Sequence, residues 1–215
     1  MGGFHGLGQL VYMVCRKVFL LVGILAMILS LSIVNSWSHP HVFVYSAVDV
    51  VFDENGLAGF RIRWLFDEMF SSMIILDFDK NGNNRFEPSE IENVEDGAFS
   101  NLCEFDYFMH IKINGEPFTV KFVTDFSAEI KKGRLIYQFF VPCHVRAIDA
   151  FKELKLSIYD STFYSSFFLV KNPVAFENHQ TVDVDHRIEK NKEDAYYFDQ
   201  IYPEEITLKF RRKNE

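Results

Sequence analysis

No G-x-S-x-G, no H-E-x-x-H and no glycine-rich phosphate loop occurs in the 215 residues. The short motifs that carry acyl transfer, zinc proteolysis and phosphate cradling are therefore missing, and the chain reads as non-enzymatic. A basic stripe is missing too. Lys and Arg number 22 against 30 Asp and Glu, a net charge of −8, which repels nucleic acid and anionic membrane surfaces and favours cations. Lys131-Lys132 reads as a turn and Arg211-Arg212-Lys213 as a solvated tail. Cysteine is scarce, at three residues, and Cys15 lacks the preceding small residue that lipoprotein anchoring needs. Cys103 and Cys143 would pair in an oxidising compartment, closing a loop of about forty residues worth about 3–4 kcal/mol, or else stay as two thiols. Their spacing does not choose between these. No internal repeat is present.

What is present begins at the N-terminus, where Arg16 and Lys17 precede an apolar run from Val18 to Val34. Ser36-Trp37-Ser38 then puts small residues at the two positions a signal peptidase reads, the pattern of a secretory signal peptide cleaved before His39. Met13 as the start would give a short basic n-region of ordinary length. The expected location is periplasmic or secreted, with no direct membrane insertion after cleavage. The competing reading is an uncleaved anchor, for which this run is at the lower length limit of a span. Cleavage removes Arg16 and Lys17 and no acid, moving the net charge from −8 to −10, and leaves 177 residues, enough for one domain with a full core.

Most of that domain has strand patterning. His41 to Phe52 is rich in Val, Phe and Tyr and ends at Asn55-Gly56, a strong hairpin signal. Phe60, Ile62 and Trp64 alternate with Arg61 and Arg63. Further strands are expected at Tyr107 to Ile113, Phe118 to Phe122, Leu135 to Val141, Lys152 to Tyr159, Phe163 to Val170 and Ile206 to Phe210. The expected fold is mainly β, an antiparallel sandwich, with an EF-hand-like helix-loop-helix inserted at about 66–104. The 24 phenylalanines suit a core where two sheets interdigitate. Residues 39–171 form the β-rich domain. Residues 172–215 are a polar acidic segment with a final strand at about 206–211, and 172–204 read as a long or partly disordered loop.

The insertion carries the sharpest local signal. Asp79 to Glu90 reads D-K-N-G-N-N-R-F-E-P-S-E, with oxygen-bearing side chains at the first, third, fifth, ninth and twelfth places. Calcium takes six to eight oxygens, so a loop coiling round it must offer one at every second residue. Asp79, Asn81, Asn83, Glu87 and Glu90 would supply side chains and Arg85 its carbonyl. Phe86 would pin the loop to the core, and Asn84 stands where glycine is usual, in the left-handed conformation that asparagine tolerates best among non-glycine residues. Asp67 and Glu68 suit a helix start, Met69, Phe70, Met73 and Ile74 recur at helical spacing, and Pro88 fits a first helical turn. Ile91, Val94, Ala98 and Leu102 continue an apolar stripe.

Processing before His39 would expose a free amine beside the imidazoles of His39 and His41, a candidate site for zinc, nickel or copper. Pro40 has no amide hydrogen to release, so this site would need a further ligand such as Asp67, Asp160, His110 or His144.

Four stretches together resemble a known family: His39-Pro40-His41-Val42-Phe43, Trp64-Leu65-Phe66-Asp67-Glu68-Met69-Phe70-Ser71, the acidic loop Asp77 to Glu90, and Tyr159-Asp160-Ser161-Thr162-Phe163-Tyr164. The chain is similar to the bacterial periplasmic proteins of domain-of-unknown-function family 1007. The resemblance implies a periplasmic component of an ABC-type transport system, often beside nickel/cobalt-type metal exporters, with transporter or exporter components as partners. One β-rich domain lacks the two lobes and hinge with which a solute receptor closes on its ligand, so an accessory role is expected. The rival reading is a structural or adhesive β-module stiffened by calcium. Asn84 departs from the usual loop glycine, and beyond Phe176 no family motif is matched.

Overall fold

Alternation of side chains decides the first hairpin. In β1 (Val42–Phe52) Val42, Val44, Ser46, Val48, Val50 and Phe52 turn to one face and are buried, and in β2 (Gly56–Phe66) Phe60, Ile62, Trp64 and Phe66 do the same. Between them Asp53 Oδ1 accepts the N–H groups of Asn55 and Gly56 at 2.7 and 3.0 Å. Gly56 has φ +145, and a Cβ there would collide with the backbone of Val145 and Ala147, so the Asn55-Gly56 turn tolerates no larger residue.

The computed structural model describes residue 13, residues 16–23 and residues 40–213. The chain divides into two compact units, Met1–Ser38 and His39–Glu215. Residues 16–23 of the first unit are helical; the rest of the apolar run and the expected cleavage site lie outside the described residues. Among the described residues no helix is long and apolar enough to cross a membrane.

The second unit is mainly β. After a helix-loop-helix come β3 (Met109–Ile113), β4 (Glu116–Phe118), β5 (Thr124–Lys131), β6 (Arg134–Arg146), β7 (Lys152–Ile158), β8 (Ser165–Glu177), β9 (Val182–Lys190) and β10 (Glu204–Arg212). They form two five-stranded sheets, β5-β6-β2-β1-β8 and β4-β3-β7-β10-β9. Both contribute to one apolar core, and Phe52 of β1 meets Phe210 of β10 edge to face at 5.6 Å.

Several expectations need correction. The sandwich is not wholly antiparallel, because β8 pairs with β1 in parallel. The run Phe118 to Phe122 is no strand beyond Phe118: Val120 is buried while Phe122 faces solvent, so their alternation does not mark one face. Residues 172–204 are not a long loop. They complete β8, form β9 at a sheet edge, and continue into a polar segment where buried Asn191 donates to Asp194 and Glu205 at 2.9 and 2.7 Å. Lys112 pairs with Asp194 at 2.6 Å and Lys155 with Glu205 at 3.1 Å. An edge strand and a satisfied polar network leave little hydrophobic periodicity to read.

Cys103 and Cys143 are both free thiols, the first exposed and the second half-buried in β6. Burial pushes the Cys143 thiol up to about 12. An alkylating reagent at pH 8 should therefore label Cys103 in the native protein and Cys143 only after unfolding. A mass spectrum showing both labelled at equal rates before unfolding would contradict this burial.

Candidate functional site

Between β2 and β3 stand α1 (Glu68–Phe78), α2 (Pro88–Val94), a π-turn at Glu95–Phe99 and a 3-10 segment at Ser100–Phe108. Asp67 caps α1: its Oδ1 accepts from the N–H of Met69 and Phe70 at 2.8 and 3.0 Å, and its Oδ2 accepts the N–H of Phe43 in β1 at 2.8 Å. Ser71 ties the helix to β6, accepting the Leu135 N–H at 2.9 Å. Met69, Phe70, Met73 and Ile74, the residues at helical spacing, do not share one buried face. Ile74 is buried and Phe70 packs on the core, but Met69, Met73 and Leu76 face solvent.

The loop from Asp79 to Glu90 coils on its own backbone. Asp79 accepts the N–H groups of Asn83 and Asn84 at 3.2 and 2.8 Å, and Glu90 those of Lys80 and Glu87 at 2.8 and 3.0 Å. Asn81 and Asn83 accept from the backbone two residues on, and their amide groups each donate to Glu87 at 2.7 Å. Hydrogen bonding with Glu90 foremost, then from Asn83 and Asn81, holds the Glu87 carboxyl below the ordinary carboxylate range. Asn84 adopts φ +60, the left-handed conformation read from its position, and Phe86 packs against the core. Asp79 and Glu90 are buried, whereas Glu87 and both asparagines are not.

Among the described residues no three His, Cys, Asp or Glu side chains form a group set to hold a metal ion. The loop register instead mixes the carboxylates of Asp79, Glu87 and Glu90 with asparagine amides and the Arg85 carbonyl, oxygens that suit a hard cation. His39 lies outside the described residues. His41 sits with its ring 4.9 Å from that of Tyr164, and its N–H donates to the Tyr164 carbonyl at 2.8 Å. Asp67 is occupied as a helix cap. His110 is stacked on Tyr159 at 3.6 Å, and these groups do not gather round His41 as a ligand set.

A feature that no local sequence pattern announces is a cleft of about 460 Å³ between the insertion, the β5-β6-β2-β1-β8 sheet and the turn that leads into β8. Three of the resembling stretches meet there. Val42 comes from the first, Trp64, Phe66 and Phe70 from the second, and Asp160, Thr162 and Tyr164 from the third. Asp160 is buried and shapes the rim: Oδ1 accepts the N–H and hydroxyl of Thr162 at 2.8 and 2.7 Å, and Oδ2 the N–H of Ser165 at 3.0 Å. The far wall carries Phe105 and Phe108, on either side of Asp106 and Tyr107, which hold φ of +50 and +51. Left-handed backbone at non-glycine residues costs about 1–2 kcal/mol each, so packing imposes that wall.

Three buried side-chain polar atoms near the cleft are unsatisfied. Ser46, Trp64 and Tyr137 form one cross-strand row over β1, β2 and β6, all facing inward and at most 2% exposed. Ser46 Oγ, Trp64 Nε1 and Tyr137 OH have no hydrogen-bond partner among the described residues. Leaving such a group unpaired costs about 1–3 kcal/mol. Trp64 and Tyr137 line the cleft; Ser46 lines a neighbouring cavity of about 440 Å³, and Phe167 borders both.

Comparison with known proteins bears on the whole unit. A family model described as a protein of unknown function (DUF1007) matches residues 24–210. An uncharacterized 15.5 kDa protein in the trpE 3' region of Spirochaeta aurantia is 35% identical over 105 residues, covering 48% of this chain and 74% of that one. An uncharacterized protein of Haemophilus influenzae is 25% identical over 131 residues, 59% of this chain and 61% of its own length.

Proposed function

The chain belongs to the DUF1007 family, and we propose that it is an exported, non-enzymatic accessory protein that binds calcium in the loop Asp79–Glu90 and works beside a metal-ion transport system. The observation that carries this reading is the loop itself. Asp79 and Glu90 are buried and organised by backbone N–H groups, Asn84 takes the left-handed turn, and Glu87 faces the two asparagine amides. The exposed stripe of Met69, Met73 and Leu76 on α1 supports contact with a protein partner.

Calcium should bind with Kd on the order of 0.1–1 mM, as in extracellular modules, because only three of the ligands are charged. At 10 mM calcium that affinity stabilises the fold by about 1.4–2.7 kcal/mol, a rise in melting temperature of about 3–10 °C. Glu90→Gln should lose most of this rise. A melting temperature that ignores calcium in both proteins would reduce the loop to a turn.

The transport link has its own test. Protein beginning at His39 should bind zinc, nickel or copper more tightly than protein extended by one N-terminal methionine, since the extension moves the free amine away from His39. Amine and imidazole bind only when deprotonated, so affinity should fall as the pH is lowered. His39→Ala and His41→Ala should each weaken it and Glu90→Gln should not. Equal affinity across all these forms would leave a calcium-stiffened structural module.

A further inference from the structure

Helix α1 is apolar on two faces, and packing on the sheet uses one. Ile74 is buried and Phe70 lies on the core, while Asp67 and Ser71 fix the helix to β1 and β6. Met69, Met73 and Leu76 turn outward at spacings of four and three residues, which puts them on one stripe of the helix. They are 69%, 53% and 82% exposed. A helix that is apolar on both sides is ordinarily covered on both sides, so the outer stripe lacks its cover.

Charge narrows what that cover can be. Glu68 precedes Met69 and Asp77 follows Leu76, each one helical step of about 100° away, so the two exposed acids border the stripe on opposite edges. They belong to a wider imbalance. Between Asp67 and Asp106 stand eleven of the 30 acidic residues and two of the 22 basic ones, a net −9 in a chain of −8, so everything outside that span sums to +1. The seven ion pairs of the described residues all lie outside it. None of the insertion's acids therefore has a basic partner among the described residues.

A second copy docked face to face would bring acid against acid, and nucleic acid or an anionic membrane surface is repelled for the same reason. A protein segment with its own apolar stripe and with Lys or Arg along the edges is complementary in both respects. Methionine suits such a contact, because its unbranched, polarizable side chain adapts to the surface it meets.

We propose that the outer face of α1 docks a partner protein through a basic segment, whose apolar side chains cover Met69, Met73 and Leu76 and whose Lys or Arg side chains meet Glu68 and Asp77. The proposal rests on the partner-contact part of the function given above and not on calcium. Because α1 is already fixed to the sheet, docking has little of this side of the contact left to order.

The test uses residues 39–215, which contain every core residue described, in EDTA so that failure of the calcium reading leaves the outcome untouched. Failure here would likewise leave the calcium and transition-metal titrations standing. The probe is a fluorescein-labelled peptide of Leu and Lys with its leucines on one helical face, followed by fluorescence anisotropy. One comparison peptide keeps the leucine face but has Glu for Lys, and another keeps the composition but scatters the leucines. The first peptide should bind, and the other two should bind at least about ten-fold more weakly. Raising NaCl from about 0.05 to about 0.5 M should weaken the first several-fold, as exposed charges are screened.

Met69→Gln, Met73→Gln and Leu76→Gln together should lower affinity at least about ten-fold, since apolar area is lost while helix propensity is kept. Leu76→Gln alone should lower it about three-fold, which keeps the proposal testable if the triple variant does not fold. Glu68→Gln with Asp77→Asn should reduce the salt dependence. Phe198→Ser, at an 83% exposed ring outside the insertion, should bind as the parent does. Far-ultraviolet circular dichroism checks the fold of each variant.

Four results would overturn the proposal. Parent protein that binds none of the peptides has no such docking face. Equal affinity for the Lys and Glu peptides would show that charge does not select the partner. Folded stripe variants that bind as tightly as the parent would put the contact elsewhere on the acidic surface. Parent protein that sediments as a dimer, or floats with phosphatidylcholine vesicles, and loses this in the stripe variants would have a second copy or a lipid surface as its cover.

Discussion

Phe99→Ala should lower the free energy of unfolding by about 3–5 kcal/mol, the range for removing a fully buried phenylalanine. Phe99 is 1% exposed and ends the π-turn, where it stacks on Phe126 of β5 at 4.2 Å and meets Phe139 and Tyr137 of β6 at 5.1 and 5.7 Å. Such aromatic pairs add about 0.5–1.5 kcal/mol beyond burial. The insertion sends few other side chains fully into the core, chiefly Ile74 and Val94. Losing Phe99 should therefore loosen the helices from the sheet as well as weaken the whole. Urea denaturation measures the first effect, and amide exchange across residues 68–105 the second. Phe105→Ala serves as control, because that ring is 55% exposed and its loss should change stability by less than about 1 kcal/mol. If the two variants were equally stable, Phe99 would not be the anchor of the insertion.

Asp160→Ala should cost about 2–3 kcal/mol, and the effect should centre on residues 160–165. The carboxylate is 5% exposed and accepts three hydrogen bonds, so its removal leaves the N–H groups of Thr162 and Ser165 without their acceptor. The consequence reaches β1, because the Tyr164 carbonyl at the end of this turn accepts the N–H groups of His41 and Val42. Phe163 inside the turn has φ +58, a conformation that would relax once the carboxylate no longer holds its neighbours. Asp160→Asn should be milder, since the amide keeps one acceptor oxygen but sets an NH₂ against a donor. Chemical denaturation ranks the three proteins. An alanine variant as stable as the parent would mean that the turn is held by its backbone alone.

The three-stretch meeting at the cleft explains why the site was invisible along the chain. Trp64 and Tyr137 are more than seventy residues apart in sequence and adjacent across two strands. Alternation along β2 correctly put Trp64 on the dry face, yet nothing in that alternation says that the indole N–H would lack a partner there. The segment from Asn172 to Glu204 failed to read as structure for the opposite reason. Its order comes from strand pairing at a sheet edge and from polar groups satisfying one another, as Asn191 does between Asp194 and Glu205. Hydrophobic periodicity reports neither.

By itself the sequence determined what depends on neighbours along the chain. Period-two burial made β1, β2, β6 and β10. Asn55-Gly56 made the hairpin turn, and Asp67 and Pro88 made the helix starts, because each requires only a few consecutive residues to agree. Only the tertiary structure decided what depends on residues far apart. It set β8 parallel to β1, kept Cys103 and Cys143 as separate thiols, turned Met69, Met73 and Leu76 outward, and formed an aromatic cleft beside two unpaired donors. Burial and hydrogen-bond satisfaction are properties of the whole packed core, and a single segment cannot carry them.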